Sequence, residues 1–210
     1  MMNIERIITP LYAANVWLIW DSETRQTLVI DPGDQAPECL RIIDSHGLQP
    51  RLLIATHGHP DHIAAATDLQ TRYRIPFAIH QAEQELLPVM ADFALMLGFA
   101  NFKIPVVNLS LNDNDALDIL PFTVRVIHSP GHTPGSICLQ IGRDLFSGDT
   151  LFKGSVGRTD LPGGSHVQLL SSLDKIVQQD IEHIFPGHGS PTTLAHELTH
   201  NSFLRKQATI

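Results

Sequence analysis

Short apolar runs alternate with amphipathic stretches along the chain, and this rhythm predicts alternating strands and helices. Residues 4–9, 15–20 and 27–30 are rich in Ile, Val and Trp and read as strands. Asp31, Pro32 and Gly33 break the third, and 37–46 reads as a short helix stopped by Gly47. A strand at 51–55, a helix at 61–74 and a strand at 77–80 follow. Residues 81–97 read as helical, with Pro88 as a kink or a break. Within that stretch Leu86, Leu87, Met90, Phe93, Ala94 and Leu97 have helical spacing, which suits a core stripe or the wall of a substrate mouth.

The second half repeats the theme. Strands are predicted at 122–128, 136–141, 144–147 and 183–185. Helices are predicted at 165–178, with Ser165 as N-cap, and at 191–200. No linker or low-complexity run interrupts the pattern, so a single domain over residues 1–210 is expected. Strands followed by helices in each half suit two mixed sheets packed face to face, with helices outside, in an α/β (α+β) fold.

Composition narrows the class of protein. The 210 residues are 43% hydrophobic and 17% charged, with a net charge of −8. That balance argues against general nucleic-acid binding, which needs a basic face. Cys39 and Cys138 lie far apart and form no paired motif, so no disulfide framework is expected. The first residues contain no apolar core of a signal peptide, and the run Val16 to Trp20 is too short to span a bilayer. A cytoplasmic protein is expected, without a membrane partner.

Candidate chemistry is concentrated in four loops. The first carries His57, His59, Asp61 and His62 between the 51–55 strand and the following helix. Imidazole and carboxylate are the usual ligands of zinc and of other first-row divalent metals. His57 and His59 are two apart on an extended segment, so their rings can converge on one metal. Asp61 and His62 start a helix and point elsewhere, which suits a second metal. His132 stands in a turn framed by Pro130, Gly131, Pro134 and Gly135, and can be aimed at the first metal. Asp149 follows a strand and Gly148, and one carboxylate can bridge two cations. His188 sits on a turn after Pro186 and Gly187.

Five His and two Asp suffice for two metals with open positions, a set that favours catalysis over a closed structural site. Asp61 and Asp149 are therefore candidates for catalytic as well as ligating roles. Asp31 either orients these ligands from behind or simply closes an Asx-turn. His46, His80, His128, His166, His183, His196 and His200 lack paired ligand spacing and read as spectators. Cys138 falls in a predicted strand and reads as a core residue, so no Ser or Cys nucleophile is expected.

The ordered set His57, His59, Asp61, His62, His132, Asp149 and His188 resembles the metallo-β-lactamase superfamily over essentially the whole chain. The resemblance implies an αββα sandwich with two metals at one edge. His57, His59 and His132 would hold one metal, and Asp61, His62 and His188 the other, with Asp149 between them. Zinc is the first expectation for both ions, with iron or manganese as alternatives. Asp149 is similar to the bridging ligand of glyoxalase II, where β-lactamases commonly carry Cys or Ser. His59 stands where flavodiiron proteins usually have Glu. The strings from Gly148 to Phe152 and from Gly157 to Gly164 look like those of short bacterial glyoxalase II-like proteins.

That likeness implies hydrolysis of a glutathione thioester of the S-D-lactoylglutathione type, through attack by a hydroxide held between the metals. The family's longer C-terminal helical region is replaced here by a short tail ending at Ile210. Within it, Asn201, Phe203 and Arg205 resemble the family's Asn-Pro-Phe-x-Arg segment, with Ser202 in place of Pro. Arg205 and Lys206 would bind the glutathione carboxylates, and Arg158 would replace a Lys of similar role. Otherwise Arg158 pairs with Asp160, and Arg205 and Lys206 belong to a solvated tail.

Three other readings remain open at this point. A persulfide dioxygenase would hold one iron on His57, His132 and Asp149, although the intact segment around His188 speaks for a second metal. An ester or lactone hydrolase of the same superfamily is another alternative, whereas a nuclease is disfavoured by the acidic balance and the absence of a basic arm. The last reading is a metal-binding module without turnover. A monomer or a small homo-oligomer is expected, acting on a small molecule.

Overall fold

Residues Asn15–Asp21 carry apolar side chains on both faces and are buried at every position. This is the pattern of an inner strand covered on both sides. The computed structural model describes residues 1–118 and 120–205, and these form two compact units.

The first unit, Met1–Leu111 with Asp118–Phe122, contains a six-stranded mixed sheet. Its elements are β1 (Met2–Ile8), β2 (Asn15–Asp21), β3 (Gln26–Ile30), α1 (Ala36–Ser45), β4 (Gln49–Ile54), α2 (Pro60–Ile63), α3 (Ala66–Tyr73), β5 (Phe77–His80), α4 (Leu87–Met96) and β6 (Val107–Leu111). β1, β2 and β3 run antiparallel, and β3 to β6 are parallel neighbours. Cys39, Ile42 and Ile43 of α1 and Ala66 and Leu69 of α3 pack with Leu18, Val29 and Phe77 of the sheet in one apolar cluster.

Three features of this unit differ from the sequence expectation. The helix expected over 61–74 is two helices, because the Ala65 N–H donates to the Pro32 carbonyl and leaves the helical ladder. Pro88 does not kink a helix: the stretch is broken at residues 84–86, just before it, and Pro88 lies in the first turn of α4, where its missing N–H costs nothing. Before it, residues 81–83 make a single 3₁₀ turn capped by His80, whose Nδ1 accepts from the Ala82 N–H. The apolar stripe of α4 is divided, with Leu87, Met90 and Ala94 buried and Phe93 and Leu97 exposed.

The second unit, Asn112–Leu117 with Thr123–Ile210, holds another six-stranded mixed sheet and a two-stranded hairpin. Its elements are β7 (Ala116–Leu117), β8 (Val124–His128), β9 (Ile137–Ile141), β10 (Asp144–Gly148), β11 (Leu151–Phe152), β12 (Ser155–Val156), α5 (His166–Val177), β13 (His183–Pro186), β14 (Thr192–Thr193), α6 (Leu194–His200) and α7 (Ser202–Arg205). The order is β14, β13, β10, β9, β8, β7, with β10 and β13 parallel and the other neighbours antiparallel. Leu173 and Ile176 of α5 pack in one cluster with Ile127, Leu145, Ile184 and Leu204. Ser165 caps α5 as expected, its hydroxyl accepting from the Gln168 N–H. The helix expected from residue 191 starts at Leu194, because Thr192 and Thr193 pair with β13 first.

Two mixed sheets with helices match the expected α/β class. Among the described residues, no helix is long and apolar enough to cross a membrane.

Candidate metal centre

In the first unit, β4 ends at Ile54 and the loop to α2 carries His57, His59, Asp61 and His62. His57 and His62 are fully buried and His59 is nearly so. His57 Nε2 lies 3.1 Å from His59 Nδ1, so the two rings converge as their spacing predicts. The His57 and His62 ring centroids are 4.3 Å apart. His62 Nε2 lies 3.6 Å from Asp61 Oδ2.

Asp31 organises this loop from behind. One carboxylate oxygen accepts from the Thr56 N–H at 2.6 Å and the other from the Thr56 hydroxyl at 2.8 Å. The Thr56 hydroxyl also lies 3.1 Å from His57 Nδ1. Having donated to Asp31, it can accept an Nδ1–H, which leaves Nε2 as the basic nitrogen of His57. Asp31 Oδ2 is also 3.1 Å from His62 Nδ1, so Nε2 is the nitrogen His62 turns toward Asp61. Asp31 thus bonds through its carboxylate to Thr56, 25 positions further along the chain. Its φ of +52° is a conformation that Asp tolerates better than most residues, and such backbone collects at functional sites.

Glu83, fully buried in the 3₁₀ turn, was not picked out from the sequence. Its carboxylate accepts from the Gly58 N–H at 2.7 Å, between the two His of the loop. A Cβ on Gly58 would come within 2.9 Å of that carboxylate, so the glycine lets the two pack closely. No local pattern betrays Glu83, because its partner is a backbone amide 25 positions earlier in the chain.

In the second unit, His132, Asp149 and His188 come together. Asp149 Oδ2 lies 3.5 Å from His132 Nε2 and 3.5 Å from His188 Nε2. His132 Nδ1 lies 2.8 Å from the Arg158 carbonyl, an acceptor only, so that nitrogen carries the proton and Nε2 is left basic. Gly131 lets α5 approach the His132 turn, for a Cβ there would run into the Leu169 backbone.

The donor chemistry fits divalent metal. His57 and His132 each have Nδ1 engaged by a neighbouring oxygen and Nε2 turned toward another candidate ligand of the same unit, the His59 imidazole for His57 and the Asp149 carboxylate for His132. This is how metal-ligating His is usually held. Among the described residues, none of the seven spectator His joins a group of three converging ligand side chains.

The candidate substrate cations are placed differently. Arg158 and Asp160 form an exposed two-point ion pair, at 2.7 and 2.8 Å. That pair holds the Asp160 carboxyl down at about 2. Arg205 is exposed, and its Nε donates to the Thr199 carbonyl. Lys206 lies outside the described residues.

Comparisons with known proteins agree with this architecture. The signature of the metallo-beta-lactamase superfamily matches residues 9–188. Hydroxyacylglutathione hydrolase GloC of Haemophilus influenzae is 33% identical, over 99% of this chain and all of that one. The crystal structure of BLEG-1 B3 metallo-beta-lactamase is 32% identical with a TM-score of 0.85, covering 97% of this chain and 99% of that one. TTHA1623, solved in a di-iron-bound form, is 32% identical with a TM-score of 0.86, covering 95% of this chain and all of that one. The chain has their fold, and it belongs to the metallo-β-lactamase superfamily.

Proposed function

We propose that the protein is a dinuclear metal-dependent hydrolase that cleaves a glutathione thioester of the S-D-lactoylglutathione type. The carrying observation is Asp149, whose one oxygen stands equally far from His132 and His188. A carboxylate there, rather than Cys or Ser, is the glyoxalase II-like choice, and the GloC likeness runs the length of both chains. In this reading the two ligand sets serve one centre in a single catalytic domain. His57, His59 and His132 hold one ion, Asp61, His62 and His188 the other, and Asp149 both. Zinc is the first choice, and the di-iron neighbour keeps iron in view.

Bound metal would supply a nucleophile from water at neutral pH and polarise the thioester carbonyl. The chain's own residues hold that chemistry in place. Asp31 and Thr56 fix His57, Glu83 fixes the loop between His57 and His59, and the Arg158 carbonyl fixes His132. The thiolate leaves readily, so the reaction needs little from a general acid. Arg158, Arg205 and Lys206 are the cations proposed to meet the substrate carboxylates. Arg158 is exposed and can exchange Asp160 for a substrate carboxylate at small cost, as exposed pairs are weak. The substrate is a small molecule met in the cytoplasm.

The likeness to a B3 metallo-β-lactamase favours a second reading, hydrolysis of a β-lactam amide. Asp149→Ala tests the site itself. It is expected to lose most thioester hydrolysis and at least one metal per chain; full metal occupancy in the variant would contradict the bridging role. Turnover of a β-lactam with none of the thioester would replace the first reading with the second.

A further inference from the structure

Glu197 and Asn201 are fully buried polar side chains of the C-terminal segment, in the second unit and outside the ligand set. Neither belongs to the candidate ligand set, and both send hydrogen bonds to one hairpin. Glu197 Oε2 accepts from the Gly154 N–H at 2.8 Å, and Oε1 accepts from the Thr192 hydroxyl at 2.7 Å. Asn201 Nδ2 donates to Glu197 Oε2 at 2.9 Å, to the Ser155 carbonyl at 3.0 Å and, at longer range, to the Phe152 carbonyl at 3.4 Å. Asn201 Oδ1 accepts from the Phe203 N–H at 3.0 Å, which ties the amide to the first turn of α7.

The hairpin they hold is β11–β12, and its two ends and its first strand reach all three ligands of this unit. It starts two residues after Asp149. It leads into Gly157, which packs so closely on the Asp149 carbonyl that a Cβ would not fit. The next residue, Arg158, supplies the carbonyl that takes the His132 Nδ1 proton. Phe152 sets its ring edge-to-face with His188, at 6.0 Å between centroids.

We infer that Glu197 and Asn201 are positioning residues for the metal centre: they clamp the β11–β12 hairpin, and through it set His132, Asp149 and His188. The C-terminal segment then serves the metal ligands directly, whatever Arg205 contributes to substrate. Outer partners of this kind typically change metal affinity by about 10–100-fold when removed, because ligands that must be reordered bind more weakly. The inference rests on the metal-dependent reading proposed above.

The test is zinc affinity of the metal-free protein, read by competition with a chromophoric chelator. Asn201→Ala is expected to weaken zinc binding at least about tenfold, with Glu197→Gln shifting it in the same direction. Glu197→Gln keeps the volume and serves as the second reading should Asn201→Ala fail to fold. Ile176→Val, a core truncation on α5 that removes none of these hydrogen bonds, is the control for lost stability. It is expected to lower Tm but leave zinc affinity within about twofold. The His132 Nδ1–H resonance of the metal-free protein is expected to shift in Asn201→Ala and stay in place in Ile176→Val. Wild-type uptake of zinc with affinity unchanged in both clamp variants would overturn the inference alone. A wild-type chain that takes up no zinc would overturn the functional reading as well.

Discussion

Asp31 carries more hydrogen bonds than a turn residue needs. Its carboxylate takes both donors of Thr56 and faces His62, in a fully buried position. Asp31→Ala would strand the Thr56 N–H without its acceptor, and a stranded buried donor costs about 1–3 kcal/mol. The variant is expected to unfold at lower denaturant and to bind metal about 10–100-fold more weakly; unchanged metal affinity would return Asp31 to the role of a plain turn residue. Cys39 and Cys138 are buried too, and burial pushes their thiols up to about 12 and about 11. Both are expected to resist a thiol reagent at pH 8 until the protein is denatured, and rapid labelling of the native protein would contradict that. At this scale the candidate ligands stand out in the sequence, because ligation demands particular side chains in short, turn-rich loops. The bonding roles of Glu83, Glu197 and Asn201 were not legible, since each bonds backbone groups brought near only by folding.

The elements were legible where apolar periodicity ran long enough. β2, β3, β8, β9, β10 and α5 lie within a residue or two of the pattern that predicts them. The two-residue strands β7, β11, β12 and β14 escape any such pattern, because two residues hold no period. β6 is longer but mostly exposed, and its polar positions gave no apolar run to read. The break between α2 and α3 depends on Pro32, far from it in sequence. The hairpin β11–β12 shows what such short pieces do. Gly157→Ala is expected to force it away from the Asp149 carbonyl, at about 1–3 kcal/mol of stability, as overpacking usually costs. A thermal melt equal to that of wild type would show that the backbone accommodates the methyl group.

For the whole molecule, alternating strands and helices in each half implied two mixed sheets, and two mixed sheets are present. Each unit brings together some of the candidate ligands, His57, His59, Asp61 and His62 in one and His132, Asp149 and His188 in the other. Substrate identity was the least legible property. The ligand set is common to a superfamily of several chemistries, and Arg158 and Arg205 are exposed, with Arg158 already paired. With a net charge of −8, the proposed anionic thioester would have to be drawn in by local cations. The most direct measurement is S-D-lactoylglutathione hydrolysis by purified protein of known metal content, beside a chelator-treated control. The account predicts chelator-sensitive turnover at two metals per chain. No turnover by fully metallated protein would contradict it.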